Sequence, residues 1–249
     1  MAADGDGVLR LAMWSGPRNV STALMRSWGN RDDTVVVDEP LYAHYLAVSG
    51  RPHPGREQVI AHHEADWRRV VEMLLGPQPP GTRIYYQKQM SHHLLPDIGR
   101  EWLSRVTNAF LIRDPRAMLV SLSEKLEEFT LADTGLAQQV EIFDHVLATT
   151  GRVPPVVDSA DLLAAPEPVL RRLCEALDVP FSERMLAWPP GRRDTDGIWA
   201  PWWYARVEES TAFETPPARP PARLPSELDA LEAQCRPLYD KLWSHRLKP

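Results

Sequence analysis

Residues 13–24 read MWSGPRNVSTAL, and this stretch joins a short apolar run to a helical pattern. The run, residues 8–14, has glycine close to both ends, which favours a buried strand over a helix. Gly16 and Pro17 predict a turn, and we expect a helix from residue 21 to residue 28. A strand, a tight turn and a helix N-terminus direct backbone N–H groups to one point, so the stretch predicts an anion site.

Composition narrows the class of protein. With 249 residues, 43% of them hydrophobic, the chain can form one complete core. A net charge of −6 and a pI near 5.8 argue against nucleic acid as a partner. Two cysteines, Cys174 and Cys235, are too few for a disulfide framework. Neither a signal peptide nor a membrane span is recognisable in the sequence, so we expect a cytoplasmic protein with no membrane partner. The oligomeric state is left open.

Strands and helices alternate along most of the chain. Further strands are predicted at 34–37, 83–87, 106–112 and 153–158. Helices are predicted at 57–75, 117–129, 136–148 and 167–177. A further helix is predicted after residue 93 and ends at residue 102. This alternation predicts a three-layer α/β domain with a central parallel sheet flanked by helices. In such sheets ligands bind at the carboxyl ends of the strands.

The chain is predicted to be a single domain over residues 1–249, with its core at 8–204. Residues 215–225 are a proline-rich connector, and residues 226–246 are predicted to form a docking helix with Ser226 as its N-cap.

A second segment, after the predicted strand at 106–112, also indicates an anion site. Arg113, Pro115 and Arg116 follow that strand, and Ser121 comes eight residues after Arg113 on the next helix. Eight residues are a little over two helical turns, so the two side chains can face one side. The loop at 15–22 is not a Walker A motif, because no Gly-Lys-Ser/Thr follows at the required spacing. ATP hydrolysis is therefore not expected.

These two segments resemble the sulfotransferases that use 3′-phosphoadenosine 5′-phosphosulfate (PAPS). Residues 17–22, PRNVST, are similar to the family's Pro-Lys-Ser-Gly-Thr-Thr, and residues 113–121 are similar to its Arg-x-Pro-Arg/Lys segment with a serine eight residues on. Looser similarity covers 158–167, like Tyr-Glu-Asp-Leu, and 191–199, like the late loop that closes over the nucleotide. The pattern looks most like the bacterial, small-molecule branch, which implies a P-loop NTPase-like fold.

The sequence departs from the family's motifs at three points. Arg18 replaces the motif's lysine, the late loop lacks its Lys-Gly, and Lys88-Gln89-Met90 stands where many members have Lys-Thr-His. An arginine presents a planar fork where a lysine presents a point charge, so the first exchange changes geometry as well as strength.

The resemblance implies transfer of a sulfuryl group from PAPS to a hydroxyl or amine of a small-molecule acceptor, with PAP as product and no metal. We expect Arg18 to stabilise charge on the bridging oxygen, and Arg113 with Ser121 to bind the 3′-phosphate. The implied donor-binding residues are Gly16, Pro17, Arg18, Asn19, Val20, Ser21, Thr22, Arg113, Ser121, Arg192, Arg193 and Trp199.

The acceptor needs a base within hydrogen-bond reach, and two positions can supply one. Glu39 follows the second predicted strand and resembles the glutamate base of several bacterial and carbohydrate sulfotransferases; we prefer it. His92 or His93, near Lys88, is the alternative. The acceptor is predicted to contact Tyr42, His44, Tyr45, Trp202 and Trp203. Whether the tryptophan-rich loop is a lid or part of the core is left open.

Two other functions are compatible with the sequence. One is a nucleotide-dependent phosphotransferase, which the missing Walker lysine disfavours. The other is a non-catalytic phosphonucleotide-binding protein, which the presence of Arg18 in place of lysine allows.

Overall fold

The computed structural model describes residues 7–126, 128–214 and 224–249. Within these ranges, parallel strands form one five-stranded sheet in the order β2-β3-β1-β4-β5. The strands are β1 (Leu9–Ser15), β2 (Thr34–Asp38), β3 (Ile84–Met90), β4 (Thr107–Ile112) and β5 (Val156–Asp158). The predicted α/β fold with a central parallel sheet is confirmed.

Helices follow the strands and cover both faces of the sheet. They are α1 (Ser21–Gly29), α2 (Tyr42–Ser49), α3 (Arg56–His62), α4 (Trp67–Leu75), α5 (Pro115–Ser123), α6 (Leu131–Thr134), α7 (Leu136–Thr150), α8 (Ser159–Ala164), α9 (Pro166–Ala176), α10 (Ala200–Trp203), α11 (Ala205–Glu209) and α12 (Asp229–Trp243). In the part of the chain that the structure describes, no helix has both the length and the apolar character needed to cross a bilayer.

The central strand β1 shows how the three layers form. Its side chains alternate between faces, as the two-residue period of a strand requires. Ala12 and Trp14 belong to a core cluster that includes residues of α4, α7 and α12, whereas Leu11 and Met13 belong to a second cluster with α1 and α9. Full burial of an aliphatic side chain contributes about 1.5–3 kcal/mol, so a strand with apolar residues on both faces is most stable in the middle layer.

The predicted helix over 57–75 is wrong. The chain forms α3 and α4 instead, separated by an extended residue, His63, at the end of α3. The Asp66 side chain accepts a hydrogen bond from the Arg68 backbone N–H at 2.9 Å, so it caps a new helix. The periodic apolar residues continue across this break and concealed it.

Other predicted boundaries also change. The helix expected up to Trp102 is replaced by two 3₁₀ turns, Ser91–His93 and Glu101–Arg105, with Pro96 between them. The helix predicted at 117–129 ends at Ser123. Ser226 is not an N-cap, because it begins a 3₁₀ turn that precedes α12. Most of the predicted connector, 215–223, lies outside the described residues.

Strand β3 is longer than predicted, and this extension matters for the site. It continues to Met90, so Lys88 lies inside the strand, where it is in register with Asp38 of β2. The two side chains therefore share one face at the carboxyl edge of the sheet. A third apolar cluster, formed by α2, α3 and α10, contains Tyr204, which approaches the same edge.

Candidate active site

A cavity of about 940 Å³ lies at the carboxyl edge of the sheet. Its wall combines the loop before α1, the start of α5, α2, the turn after β3, and α11. Site residues on its wall include Pro17, Arg18, Asn19, Val20, Ser21, Thr22, Glu39, Tyr42, Tyr45, His53, Lys88, His92, His93, Arg113, Arg116, Ser121, Trp203, Tyr204 and Arg206. Most of the predicted site residues are thus brought to one cavity, although they are distant in sequence.

The loop between β1 and α1 has an unusual backbone. Arg18 and Val20 have φ angles of 61° and 56°, in the left-handed region that non-glycine residues seldom adopt. Such turns direct successive N–H groups to one side and form a concave anion site. Gly16 is required by close packing, since a Cβ atom there would lie 2.5 Å from the Thr134 carbonyl oxygen. The Asn19 amide anchors the loop by donating to the Leu111 carbonyl at 3.1 Å.

Four arginines, which we call the arginine end, face this part of the cavity: Arg18, Arg113, Arg116 and Arg206. The Arg18 Nε donates to the Ser121 hydroxyl at 3.0 Å, and the Arg113 guanidinium donates to the Arg18 carbonyl oxygen. Burial lowers the pKa of both Arg18 and Arg113; the charge of Arg18 adds to the shift at Arg113, that of Arg206 adds to it at both, and that of Glu124 opposes it. Mutual repulsion of these cations favours binding of a multivalent anion.

Another part of the cavity wall is formed by Glu39, Lys88 and Tyr204, with the buried Asp38 behind them, and we call these four residues the carboxylate end. The Lys88 ammonium donates to Asp38 at 2.9 Å, to Glu39 at 2.6 Å and to the Tyr204 hydroxyl at 2.6 Å. Tyr204 in turn lies 2.7 and 2.8 Å from the two Asp38 oxygens. All four groups are buried or nearly so, which makes these interactions strong.

Protonation equilibria at the carboxylate end follow from burial and from this pairing. Burial raises the pKa of the Glu39 carboxyl; the Lys88 ammonium opposes the shift, and the Asp38 charge adds to it. Although burial acts to lower it, the two carboxylates raise the pKa of Lys88 to about 12. Glu39 is therefore a stronger base than an exposed glutamate, and Lys88 stays charged.

Five rings form an aromatic wall next to the carboxylate end: Tyr42, Tyr45, His53, His92 and His93. His93 stacks on Tyr42 and on Tyr45, each with centroids 4.7 Å apart. The Tyr42 hydroxyl lies 2.9 Å from His53 Nδ1. Burial lowers the pKa of His92 to about 3 and that of His93 well below its usual range. Both imidazoles are neutral at pH 7, and no carboxylate among the described residues is hydrogen-bonded to either of them to make it a stronger base.

Comparison with known proteins agrees with this geometry. The family model described as the sulfotransferase domain matches residues 9–245. The chain belongs to the sulfotransferase domain family. Among solved structures, the sulfotransferase from Alicyclobacillus acidocaldarius matches 96% of the chain and 97% of its own chain, with a TM-score of 0.56 at 15% identity. The sulfotransferase domain from the curacin biosynthetic pathway matches 92% of the chain and 98% of its own, with a TM-score of 0.51 at 17% identity. These structures show the sulfotransferase fold.

A curated relative carries a different name. The branched-chain-amino-acid aminotransferase-like protein 1 of Arabidopsis thaliana is 40% identical over 233 residues, which cover 93% of the chain and 41% of the relative. The chain therefore spans less than half of that relative's length.

Several predicted residues of this sulfotransferase domain are not on the cavity wall. His44 lies 2.9 Å from the Ala65 carbonyl and 3.1 Å from Asp97. Trp199 is buried and donates to the Tyr204 hydroxyl at 3.1 Å. Trp202 packs over Gly55, and Arg193 lines a separate small cavity beside α1. The wall does not include Gly16 or Arg192 either. Donor contacts of Gly16, Arg192, Arg193 and Trp199, and acceptor contacts of His44 and Trp202, therefore stay predictions, and the structure places these residues off the cavity wall.

Three site residues were missed by the sequence reasoning, and the role of a fourth was not predicted. Asp38 had a signal, since two adjacent carboxylates end strand β2 immediately before a proline. Tyr204 stands out in the sequence as part of the tryptophan-rich stretch, where it is expected to pack or to cover a ligand, but its contacts with Lys88 and Asp38 are not predicted. Nothing local distinguishes Arg206. His53 lies in a proline-rich loop, and its contacts with Tyr42, Tyr45 and Trp203 place it in this sulfotransferase domain's cavity.

Proposed function

We propose that this sulfotransferase domain moves a sulfuryl group from PAPS to a hydroxyl or amine of a small-molecule acceptor. The observation that carries the proposal is the division of one cavity between the arginine end and the carboxylate end. Among the described residues, none of the four arginines forms an ion pair with a carboxylate. A ligand with two phosphate groups matches that end, and a hydroxyl that must lose a proton matches the other.

The residues at the arginine end fit the donor. Ser21, Thr22 and the N-terminus of α1 would hold its 5′-phosphate, while Arg113 and Ser121 would hold its 3′-phosphate. Arg18 would stabilise charge on the oxygen that bridges sulfur and phosphorus. In the structure the Arg18 Nε donates to Ser121, and the four N–H groups of its two Nη atoms are left to contact the donor.

The residues at the carboxylate end fit the acceptor's proton. As the acceptor oxygen or nitrogen bonds to sulfur, the bond from sulfur to the bridging oxygen breaks and PAP departs; the acceptor's proton passes to Glu39. Glu39 lines the cavity and has a pKa raised by burial, which suits a general base. The neutral His92 and His93 would position the acceptor rather than take its proton.

The name of the curated relative does not suggest a second function for the cavity. An aminotransferase lysine must lose its proton to form a Schiff base, which burial or nearby cations promote. Lys88 is the lysine on the cavity wall, and its two carboxylates raise its pKa to about 12. This pairing opposes the chemistry that an aminotransferase requires.

Calorimetric titration with PAP, and separately with ATP and Mg²⁺, tests the proposal. PAP is expected to bind more tightly, because it carries phosphate at both the 3′ and 5′ positions. Turnover of a ³⁵S-labelled donor with a panel of hydroxyl and amine acceptors then separates an enzyme from a non-catalytic binding protein. Tighter binding of ATP–Mg²⁺ would instead support the phosphotransferase alternative.

A further inference from the structure

The carboxylate end contains two carboxylates on one ammonium group, and only one of them can be the principal site of an added proton. Asp38 and Glu39 are adjacent in sequence, both approach Lys88 Nζ, and together they leave one negative charge uncompensated by that lysine. Coupled carboxylates of this kind take up a proton as a unit. Which oxygen receives it depends on the remaining hydrogen-bond donors.

Asp38 has the larger set of donors. Besides Lys88, it accepts a hydrogen bond from the Gly197 backbone N–H at 3.1 Å. The Tyr204 hydroxyl has a single hydrogen, and both Asp38 oxygens lie within 2.8 Å of it, whereas Glu39 lies 3.4 Å away. Lys88 and the Trp199 indole both donate to the Tyr204 oxygen, which leaves its hydrogen for Asp38.

Glu39 differs from Asp38 in both donors and access. Its short hydrogen bond comes from Lys88 alone. Its side chain is 11% exposed and lines the cavity, whereas Asp38 is 2% exposed and does not. A carboxylate that accepts several hydrogen bonds holds its charge, and one with a single donor takes a proton more easily.

We propose that Tyr204 is a positioning residue that keeps Asp38 ionised as the fixed partner of Lys88, so that Glu39 is the carboxylate that takes the acceptor's proton. The catalytic part of this statement rests on the proposed sulfuryl transfer. The assignment of the proton does not, and it can be measured without donor or acceptor.

Other titratable groups face this network from neighbouring elements. The charge of Asp38 reaches Tyr86 of β3 and His63 after α3, and the charge of Glu39 reaches Tyr42 of α2. Burial raises the pKa of both tyrosines and lowers that of His63. These three groups are therefore neutral at pH 7, and Lys88 remains the cation that compensates the two carboxylates.

Infrared titration from about pH 8 to about pH 4 tests the assignment, using protein with ¹³C at the carboxyl of either glutamate or aspartate. Subtracting the spectrum of Glu39→Gln removes the signals of carboxyl groups in the rest of the protein. In the wild type, the remaining C=O stretch of a buried, protonated carboxyl should shift with the glutamate label only. In Tyr204→Phe, it should appear about one pH unit higher and shift partly with the aspartate label, because Asp38 has lost its O–H donor.

Two further variants keep the test decisive. Tyr239→Phe is the matched control, since it removes a hydroxyl that lies 2.8 Å from a different strand-end carboxylate, Asp158; the Glu39 signal should not change. Asp38→Asn leaves Lys88 to Glu39 alone, so Glu39 should protonate at lower pH than in the wild type.

A wild-type C=O stretch that shifts with the aspartate label would overturn the inference. Loss of the protonated-carboxyl signal in Asp38→Asn would also overturn it. A Tyr204→Phe protein with wild-type spectra would do so as well. If PAP fails to bind while the infrared assignment holds, the proposed function fails and the assignment of the proton stands. If PAP binds but Asp38 carries the proton, the proposed function stands and the assignment of the proton fails.

Discussion

At the arginine end of the cavity, four guanidinium groups lie together and none forms an ion pair with a described carboxylate, whereas Lys88 at the carboxylate end lies between two. Both ends contain cations, but the described carboxylates near those of the arginine end, such as Glu124, form no ion pair with them. A cation that already pairs with carboxylates attracts an anionic ligand less strongly, because its charge is largely compensated. This difference fits the proposed roles of the two ends, the binding of an anionic donor at one and the transfer of a proton at the other.

The largest expected effect comes from removing the base at the carboxylate end. Glu39→Gln keeps the side-chain shape but cannot accept the proton, so kcat for sulfuryl transfer should fall by about 10²–10⁴-fold. In the wild type, transfer should also decline as pH falls through the raised pKa of Glu39, because the protonated carboxyl is no longer a base. Steady-state rates across pH, with PAP affinity measured in parallel, check this prediction.

Glu57→Gln is the control for that experiment, since Glu57 is an exposed residue of α3 away from the cavity wall. It should leave both the rate and its pH profile unchanged. A Glu39→Gln enzyme that retains most of its activity, with the same decline at low pH, would show that the base lies elsewhere.

At the arginine end, the corresponding loss should appear in donor binding. Arg113→Ala removes a cation from the predicted 3′-phosphate site, and one charge-assisted hydrogen bond contributes about 1.5–3 kcal/mol. PAP affinity by calorimetry should therefore fall about 10- to 100-fold, with a weaker dependence on salt. Arg172→Ala, at an exposed residue paired with Glu175, should bind PAP like the wild type. Equal affinities in the two variants would remove Arg113 from the donor site.

The two ends also differ in how far sequence could predict them. The arginine end depends on local patterns: a strand, a turn and a helix bring Arg18 to the sheet edge, and the same arrangement brings Arg113 there. Apolar strands and helix N-termini are local features, so the sheet, the loop between β1 and α1, and the placement of Ser121 and Glu39 at the sheet edge followed from the sequence.

The carboxylate end depends on contacts between distant residues. Tyr204 meets Asp38 across 166 residues, and Lys88 across 116. The strand prediction stopped at residue 87, so Lys88 was expected after β3, and its register with Asp38 could not be seen. Likewise, Arg192 and Arg193 matched a loose motif, but the path of the chain between α9 and α10 places them away from the cavity.

The aromatic wall next to the carboxylate end should make folding stability depend on pH. His92 has a pKa near 3 in the folded protein and about 6.5 when unfolded, so between these values the unfolded chain binds more protons. Stability then falls as pH decreases below about 6.5, and the cost from His92 at pH 5 is about 2 kcal/mol. In urea unfolding, His92→Asn should lose about 2 kcal/mol less than the wild type between pH 7.5 and pH 5. Exposed His62 provides the control as His62→Asn, and equal pH dependence in all three proteins would contradict the prediction.

The smallest effect should come from the hydrogen bond that links two parts of the arginine end. Arg18 Nε donates to Ser121 at 3.0 Å, although the two residues are proposed to serve different groups of the donor. Ser121→Ala removes both this bond and one donor to the 3′-phosphate. A hydrogen bond contributes about 0.5–1.5 kcal/mol net, and release of Arg18 partly offsets the loss, so PAP affinity should fall only about 2- to 5-fold. Ser123→Ala, two residues further on the exposed side of α5, is the matched control. If Ser121→Ala weakened PAP as much as Arg113→Ala does, Ser121 would be a principal phosphate ligand, and the arginines would not dominate donor binding.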